Sequence, residues 1–258
     1  MSYIEKFFNL KNKVVVIIGA AGFLCSELAY NLSLAGCKVI LLDINKKKLL
    51  NLHNKIIKKK LVSAYYILDV KKKSEHIKAL DFVLKKFGKV DVLINGANLN
   101  ASTPFLQISE EEWNSILAVQ LNATMFACQI FGEQMLKQSM GSIINFSSTS
   151  SGPPLSKAFT YSVAKAGVKN LTQNLAREWG TKNVRVNSLK PGFFPTKWSM
   201  NNFIDKKRET KIFNHTPMKR YGKPIELIGA VLWLASDSST FVTGAEIAVD
   251  GGFSSMTI

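Results

Sequence analysis

The chain has 258 residues, 47% of them hydrophobic, which is the size and composition of one α/β domain with a substantial core. No apolar run approaches the roughly 18 residues a membrane helix needs, so no membrane partner is expected. The formal charge of +16 would suit nucleic acid, but nearly all basic residues are lysine, with arginine only at Arg177, Arg185, Arg208 and Arg220; base readout and bidentate phosphate binding favour arginine, and no nucleic-acid partner is expected.

Residues 1–13 mix Glu5, Lys6 and Asn9 with Phe7, Phe8 and Leu10 and lack the charged-then-apolar order of a secretory signal, so a cytoplasmic location is expected. Cys25, Cys37 and Cys128 are odd in number, and His53, His76 and His215 are scattered singly; neither set has disulfide or metal-ligand spacing. The lysine runs at 46–48, 58–60 and 71–73 read as solvated helix faces that can steer an anionic substrate.

Val14-Val15-Val16-Ile17-Ile18 has the pattern of a central parallel strand buried on both faces. It breaks into Gly19-Ala20-Ala21-Gly22-Phe23-Leu24-Cys25, and residues 26–35 read as an amphipathic helix. Strand, glycine turn and helix are the context of a dinucleotide fingerprint: the backbone through Gly19, Gly22, Phe23 and Leu24 approaches the pyrophosphate, and the helix start supplies N–H donors. A second strand, 39–42, ends at Asp43, whose carboxylate can accept both ribose hydroxyls of NAD and repels the 2′-phosphate of NADP; NAD is the expected cofactor. Strand 64–68 ends in Asp69-Val70, and strand 91–94 ends in Asn95-Gly96-Ala97-Asn98. Ser109 and Glu112 have the spacing of a capping box that opens the long helix carrying residues 113–138.

Ile143, Ile144 and Phe146 read as a buried strand that runs out into Ser147, Ser148, Thr149, Ser150 and Ser151. Gly152-Pro153-Pro154 excludes regular structure, and a helix resumes near Ala158. Tyr161 and Lys165, four apart, share a face of that helix. An ammonium beside the phenol is expected to pull Tyr161 below its ordinary value of about 10, so that it can trade a proton with an alcohol or carbonyl. Ser148 is placed to hydrogen-bond the same substrate oxygen. Further on, residues 184–189 read as a strand, Pro224 opens an amphipathic helix, and residues 245–252 form the last strand and turn.

The Ser148…Tyr161-x-x-x-Lys165 arrangement resembles the centre of the short-chain dehydrogenase/reductase family, and the resemblance runs the length of the chain. It implies a single-domain Rossmann fold over residues 1–258, a doubly wound seven-stranded parallel sheet in the order 3-2-1-4-5-6-7 with helices on both faces. It places Asp69 and Val70 against the adenine, Asn95 and Ala97 along the cofactor, and Lys165 on the nicotinamide ribose. From Pro191-Gly192-Phe193-Phe194-Pro195-Thr196 it brings Pro191, Gly192 and Phe194 to the cofactor, with Thr196 on the carboxamide. A homotetramer is implied as well. The chain departs from the family pattern at Cys25, where a third glycine is common, at Asn98, and at Gln120, which replaces an asparagine that kinks its helix and links the catalytic lysine to solvent.

The implied reaction is reversible hydride transfer between NAD and a secondary alcohol or ketone, with Tyr161 as acid/base, Ser148 fixing the substrate oxygen, Lys165 tuning the tyrosine and Gln120 in the proton relay. The turn at Leu24-Cys25, the run Pro191-Gly192-Phe193-Phe194 and the stretch from His215 to Pro224 resemble D-mannonate-type sugar-acid oxidoreductases. Asn98, Asn100, Ser150, Lys197 and Lys211 offer partners for a polyhydroxy acid, beneath an irregular, mobile lid at about 197–213. A neutral polyol substrate, a 3-oxoacyl-carrier-protein-type reductase and a non-catalytic dinucleotide-sensing protein are the alternatives.

Overall fold

Five apolar residues in a row leave β1 (Val14–Ile18) without a solvent face, and all five are buried. The structure, a computed structural model, describes residues 3–153 and 155–256; Pro154 of the Gly152-Pro153-Pro154 stretch and residues 1, 2, 257 and 258 lie outside the described residues. A short helix, α1 (Tyr3–Phe8), precedes β1. The chain then alternates α2 (Phe23–Leu34), β2 (Lys38–Asp43), α3 (Lys46–Ile57), β3 (Ser63–Ile67), α4 (Lys73–Phe87) and β4 (Val92–Asn95). Next come α5 (Glu110–Leu117), α6 (Ala123–Gln138), β5 (Gly141–Phe146), α7 (Phe159–Trp179) and β6 (Val184–Pro191). Three more helices, α8 (Lys197–Phe203), α9 (Lys206–Asn214) and α10 (Ile228–Ala235), precede β7 (Glu246–Val249).

The seven strands form one sheet in the order 3-2-1-4-5-6-7, every neighbouring pair parallel, as the sequence predicted. Alternate residues of β1 serve opposite faces, as the two-residue period of a strand requires. Val15 and Ile17 join Leu28 and Leu32 of α2 and Val231 and Leu234 of α10 in one core. Val14, Val16 and Ile18 join Val83 of α4, Phe131 of α6 and Trp179 of α7 in the other. The sheet is thus held between two apolar layers, and its strand ends deliver polar residues to a shared crevice.

The helical run Glu110–Gln138 is long and apolar enough to cross a membrane by length and composition, which the sequence reading had excluded. Polar residues interrupt it often enough to hide it as a continuous apolar stretch. Its Ala127, Cys128, Phe131 and Met135 are committed to the core. Between α5 and α6 the run passes through a π-helical turn, Ala118–Asn122, which buries Gln120 and leaves Asn122 exposed.

Residues 197–213 are not irregular, as their polar sequence had suggested; they form α8 and α9. Local caps supply the order that apolar periodicity did not announce. The Thr196 hydroxyl accepts the Ser199 N–H at 3.0 Å, the Ser199 hydroxyl accepts the Thr196 N–H at 2.7 Å, and Asp205 accepts the Arg208 N–H at 2.7 Å.

Candidate active site

A cavity of about 610 Å³ lies across the carboxyl ends of the strands. In an open parallel sheet this is where the strand order reverses and where ligands bind. Its floor begins at Gly19, held at φ +79°; a Cβ there would stand 2.6 Å from the backbone nitrogen of Ala97, so the two loops approach with no room for a side chain. Gly22 caps α2 without a side-chain bond, so the N–H groups of the first turn remain available to a phosphate at the cavity wall formed by Gly22, Phe23 and Leu24.

Asp43 closes this half of the cavity. One carboxylate oxygen accepts the Ala21 N–H at 3.0 Å and the other accepts the Asn45 N–H at 2.9 Å, fixing the group between the glycine turn and the end of β2. The next residue, Ile44, is apolar and also lines the cavity. Asp69 and Val70 continue the same wall. Ala97, Pro191, Gly192, Phe194 and Thr196 line the remainder, so these residues fit a dinucleotide laid across the strand ends.

At the end of β5, Ser148 and Ser150 line the cavity together with Asn98, Asn100, Tyr161 and Lys165. The Ser148 hydroxyl accepts both the Ser150 N–H, at 3.2 Å, and the Ser150 hydroxyl, at 3.1 Å. Lys165 is buried and donates to the Phe146 carbonyl at 2.7 Å, with its ammonium nitrogen 5.6 Å from the centre of the Tyr161 ring. Burial drives the Lys165 ammonium down to about 7.

The expected acidic phenol is not found. Burial pushes Tyr161 above its ordinary value and outweighs the opposing hydrogen bond with Ser148. The sequence placed an ammonium beside the phenol but could not show that both groups are desolvated.

Behind the serines stands Glu246 of β7, a residue the sequence reading passed over. It accepts the Ser147 hydroxyl at 2.6 Å and the Ser151 hydroxyl at 2.9 Å, and pairs with Lys190 at 3.2 Å and Lys169 at 3.4 Å. Burial raises this carboxyl, but hydrogen bonds from Ser147 and Ser151, together with Lys190, hold it below the usual range.

Two of the expected catalytic and cofactor residues lie off the cavity wall. Asn95 is buried beneath it, donating to the Asn145 side chain at 2.8 Å, which in turn donates to Thr172 at 2.9 Å. Its place in the last position of a four-residue buried strand turns it into the interior, away from the cofactor contact expected of it. Gln120 is also buried; its amide nitrogen donates to the Asn98 side chain at 2.7 Å and to the Leu99 carbonyl at 2.6 Å. Its side-chain oxygen, buried as well, has no protein partner among the described residues.

Lys197 and Lys211 do not line the cavity, because the helices that carry them turn those positions outward; Lys157, Trp198, Phe203 and Arg208 line it instead. Arginine is so scarce in this chain that its appearance in a lysine-rich segment was the available signal for Arg208. Cys25 occupies the third-glycine position against Gly96, where a Cβ would overlap its sulfur. Burial pushes the Cys25 thiol up to about 12, so it stays protonated.

A family model described as enoyl-(acyl carrier protein) reductase matches residues 19–254. The chain is 35% identical to an uncharacterized oxidoreductase, UxuB, of Bacillus subtilis (strain 168), over 95% of this chain and 96% of that protein. It is 31% identical to 5-keto-D-gluconate 5-reductase of Escherichia coli (strain K12), over 95% of this chain and 96% of that protein. A solved gluconate 5-dehydrogenase from Burkholderia cenocepacia J2315, in complex with NADP and tartrate, matches with a TM-score of 0.92 and 27% identity over 97% of this chain and 98% of that one.

The depressed Lys165 value carries a stability signature. Between about pH 7 and the ordinary lysine value near 10.4, the unfolded chain holds a proton that the folded chain has released, so stability rises with pH across that window and the burial penalty is full below it. The cofactor-free protein should gain about 3 kcal/mol from this group between roughly pH 7 and 9.5. Lys165→Met should lose that slope in denaturant titrations at the two pH values; an unchanged slope would show that the ammonium is not the cause.

Proposed function

The chain belongs to the short-chain dehydrogenase/reductase family of nicotinamide-dependent oxidoreductases, and from that premise we propose that it interconverts a secondary alcohol and a ketone on a sugar acid or polyol, preferring NAD to NADP. The observation that carries this reading is one cavity with Gly19, Gly22 and Asp43 at one end and Ser148, Tyr161 and Lys165 at the other. The bound dinucleotide supplies the hydride acceptor or donor; the protein's work is orientation and proton movement.

In this reading Ser148 holds the substrate oxygen and the Tyr161 hydroxyl exchanges its proton. Lys165, titrating near 7, takes up or releases a proton at working pH and binds the nicotinamide ribose. Asn98 and Ser150 orient the hydroxyls that flank the reacting carbon. Asp43 accepts the adenosine ribose hydroxyls, and no cation stands at Ile44 to receive a 2′-phosphate. The bound NADP of the Burkholderia relative belongs to that protein and makes the preference here a point to measure. Residues 197–213 act as the lid over the substrate end of a single domain, and three unpaired buried cysteines suit a cytoplasmic location.

The acyl-thioester alternative draws support from the description of the matching family and from the +16 charge, which suits an acidic carrier protein. A panel of sugar acids, polyols and 3-oxoacyl thioesters, assayed with both cofactors, separates the readings. Tyr161→Phe should abolish turnover while leaving NADH fluorescence binding nearly intact, and the parent should show a higher kcat/KM with NAD than with NADP. Residual turnover in the variant would remove Tyr161 as the acid/base, and an NADP preference would remove the role of Asp43.

Gln120 is assigned to the proton path, with its amide nitrogen anchored on Asn98 and Leu99 and its oxygen left to hold a water. Gln120→Ala should lower kcat by roughly 10- to 100-fold at saturating substrate, with Gln120→Asn retaining more activity. A kcat within about twofold of the parent, with a lowered melting temperature, would make it a structural strut alone.

The same reading includes a homotetramer joined through α5, α6, α7 and the C-terminal strand. Phe105, Leu106, Phe159 and Val163 present large apolar side chains to solvent near these helices, and the tilted rings of Phe105 and Phe159 have their centres 5.1 Å apart. Light scattering at micromolar concentration should return four times the chain mass; a monomer mass would reject the assembly.

A further inference from the structure

Of the four arginines in this lysine-rich chain, Arg177 is exposed on α7, and the other three guanidinium groups are set against the fold. Arg185 has both terminal nitrogens occupied, by the carbonyls of Leu234, Ser236 and Val242. Arg220 clasps Glu226 with both nitrogens, at 2.9 and 2.6 Å. Arg208 differs. One terminal nitrogen donates to the Ser156 carbonyl at 2.7 Å; the other is buried and has no partner among the described residues.

Arg208 lines the same cavity as Ser148 and Tyr161. Lys157 lines it beside Arg208 and is held at φ +60°, a left-handed conformation costly for a side chain with a Cβ. Asp205, which caps α9 by accepting the Arg208 backbone N–H, sits 3.6 Å from the Lys157 ammonium, so it anchors Lys157 at the start of the helix and leaves the Arg208 guanidinium free of it. Among the described residues lining the cavity, the carboxylates are Asp43 and Asp69, both at the end assigned to adenosine with Lys71 beside them; the substrate end carries Lys157, Lys165 and Arg208 and no carboxylate. The substrate end of the cavity is therefore the cationic one.

We propose that Arg208 binds a carboxylate of the substrate through its unfilled guanidinium nitrogen, with Lys157 adding positive charge, so that the substrate is a short polyhydroxy acid and not a neutral polyol. This rests on the oxidoreductase reading for the position of the reacting carbon. A buried, unpaired guanidinium nitrogen is costly to leave unsatisfied, and a carboxylate satisfies it with a charge-assisted hydrogen bond. A polyol hydroxyl could accept the same hydrogen bond but would bring no charge to compensate the Arg208 guanidinium. Because Arg208 also straps α9 to the Ser156 carbonyl, engagement of the acid would fix the lid at the moment the site fills.

The test is calorimetric titration of a panel of hexonates, including D-gluconate and D-mannonate, and of the matching hexitols into the protein–NADH complex. The parent should bind at least one hexonate more tightly than its hexitol. Arg208→Gln should weaken that hexonate roughly 10- to 100-fold while weakening the hexitol far less, and Arg208→Lys should fall between parent and Arg208→Gln. Equal weakening of both ligands, an unchanged hexonate affinity or no hexonate binding to the parent overturns the proposal. Turnover is read separately. Hexitol oxidation without hexonate oxidation sinks the carboxylate site and spares the oxidoreductase reading, whereas Arg208-dependent hexonate binding with no turnover of any alcohol does the reverse.

Discussion

The Lys165 ammonium, buried and bonded to the Phe146 carbonyl at 2.7 Å, sets how α7 lies against the end of β5. Phe146 is the last residue of that strand, and Ser147 and Ser148 follow it directly. Moving the helix would break the bond or bury an unpaired charge, and either alternative is expensive. The same contact therefore spaces Tyr161, one turn earlier on α7, from Ser148. Only a site whose chemistry needs the charge would keep so costly a residue in so dry a place, which is why the rest of the cavity is best understood from this point outward.

Around it, polar side chains are tied in depth. Glu246 reaches from the edge strand to both ends of the serine-rich segment, and Lys190 and Lys169 neutralise it from β6 and α7. Asn95, Asn145 and Thr172 link β4, β5 and α7 by side-chain hydrogen bonds beneath the cavity floor. Gln120 connects the π turn to the loop after β4. Three separate networks thus brace the loops that would otherwise be the most mobile part of the fold.

Much of this was legible in the sequence, for reasons that differ by element. β1 announced itself because an unbroken apolar run has few alternatives, and the Gly19 turn because close approach of two backbones leaves glycine no substitute. The spacing of Ser148, Tyr161 and Lys165 could be read as one constellation because strand end and helix face are local geometry. What stayed hidden depends on contacts distant in sequence. Asn95 looked like a cofactor residue until its partner 50 positions away was seen to hold it inward. Glu246 gave no signal, since its four partners are drawn from three other segments. The helices α8 and α9 escaped because short polar helices are specified by caps at Thr196 and Asp205 and not by an apolar stripe. Lys197 and Lys211 were chosen for their charge alone, and charge does not say which way a residue points.

The packing of Cys25 against Gly96 has a bearing on how this chain can change. One position sits at the start of α2 and the other at the end of β4, and the sulfur of the first fills the volume that the second leaves empty. A side chain at 96 therefore meets an occupied site as long as cysteine remains at 25, whereas shrinking position 25 leaves only a small void. The two steps do not commute. Replacing Cys25 by glycine before adding a side chain at 96 passes through a tolerable intermediate, and the reverse order passes through a crowded one. The departure from a third glycine is in this sense a ratchet: it fixes the history by which the loop beside the cofactor could have been rewritten.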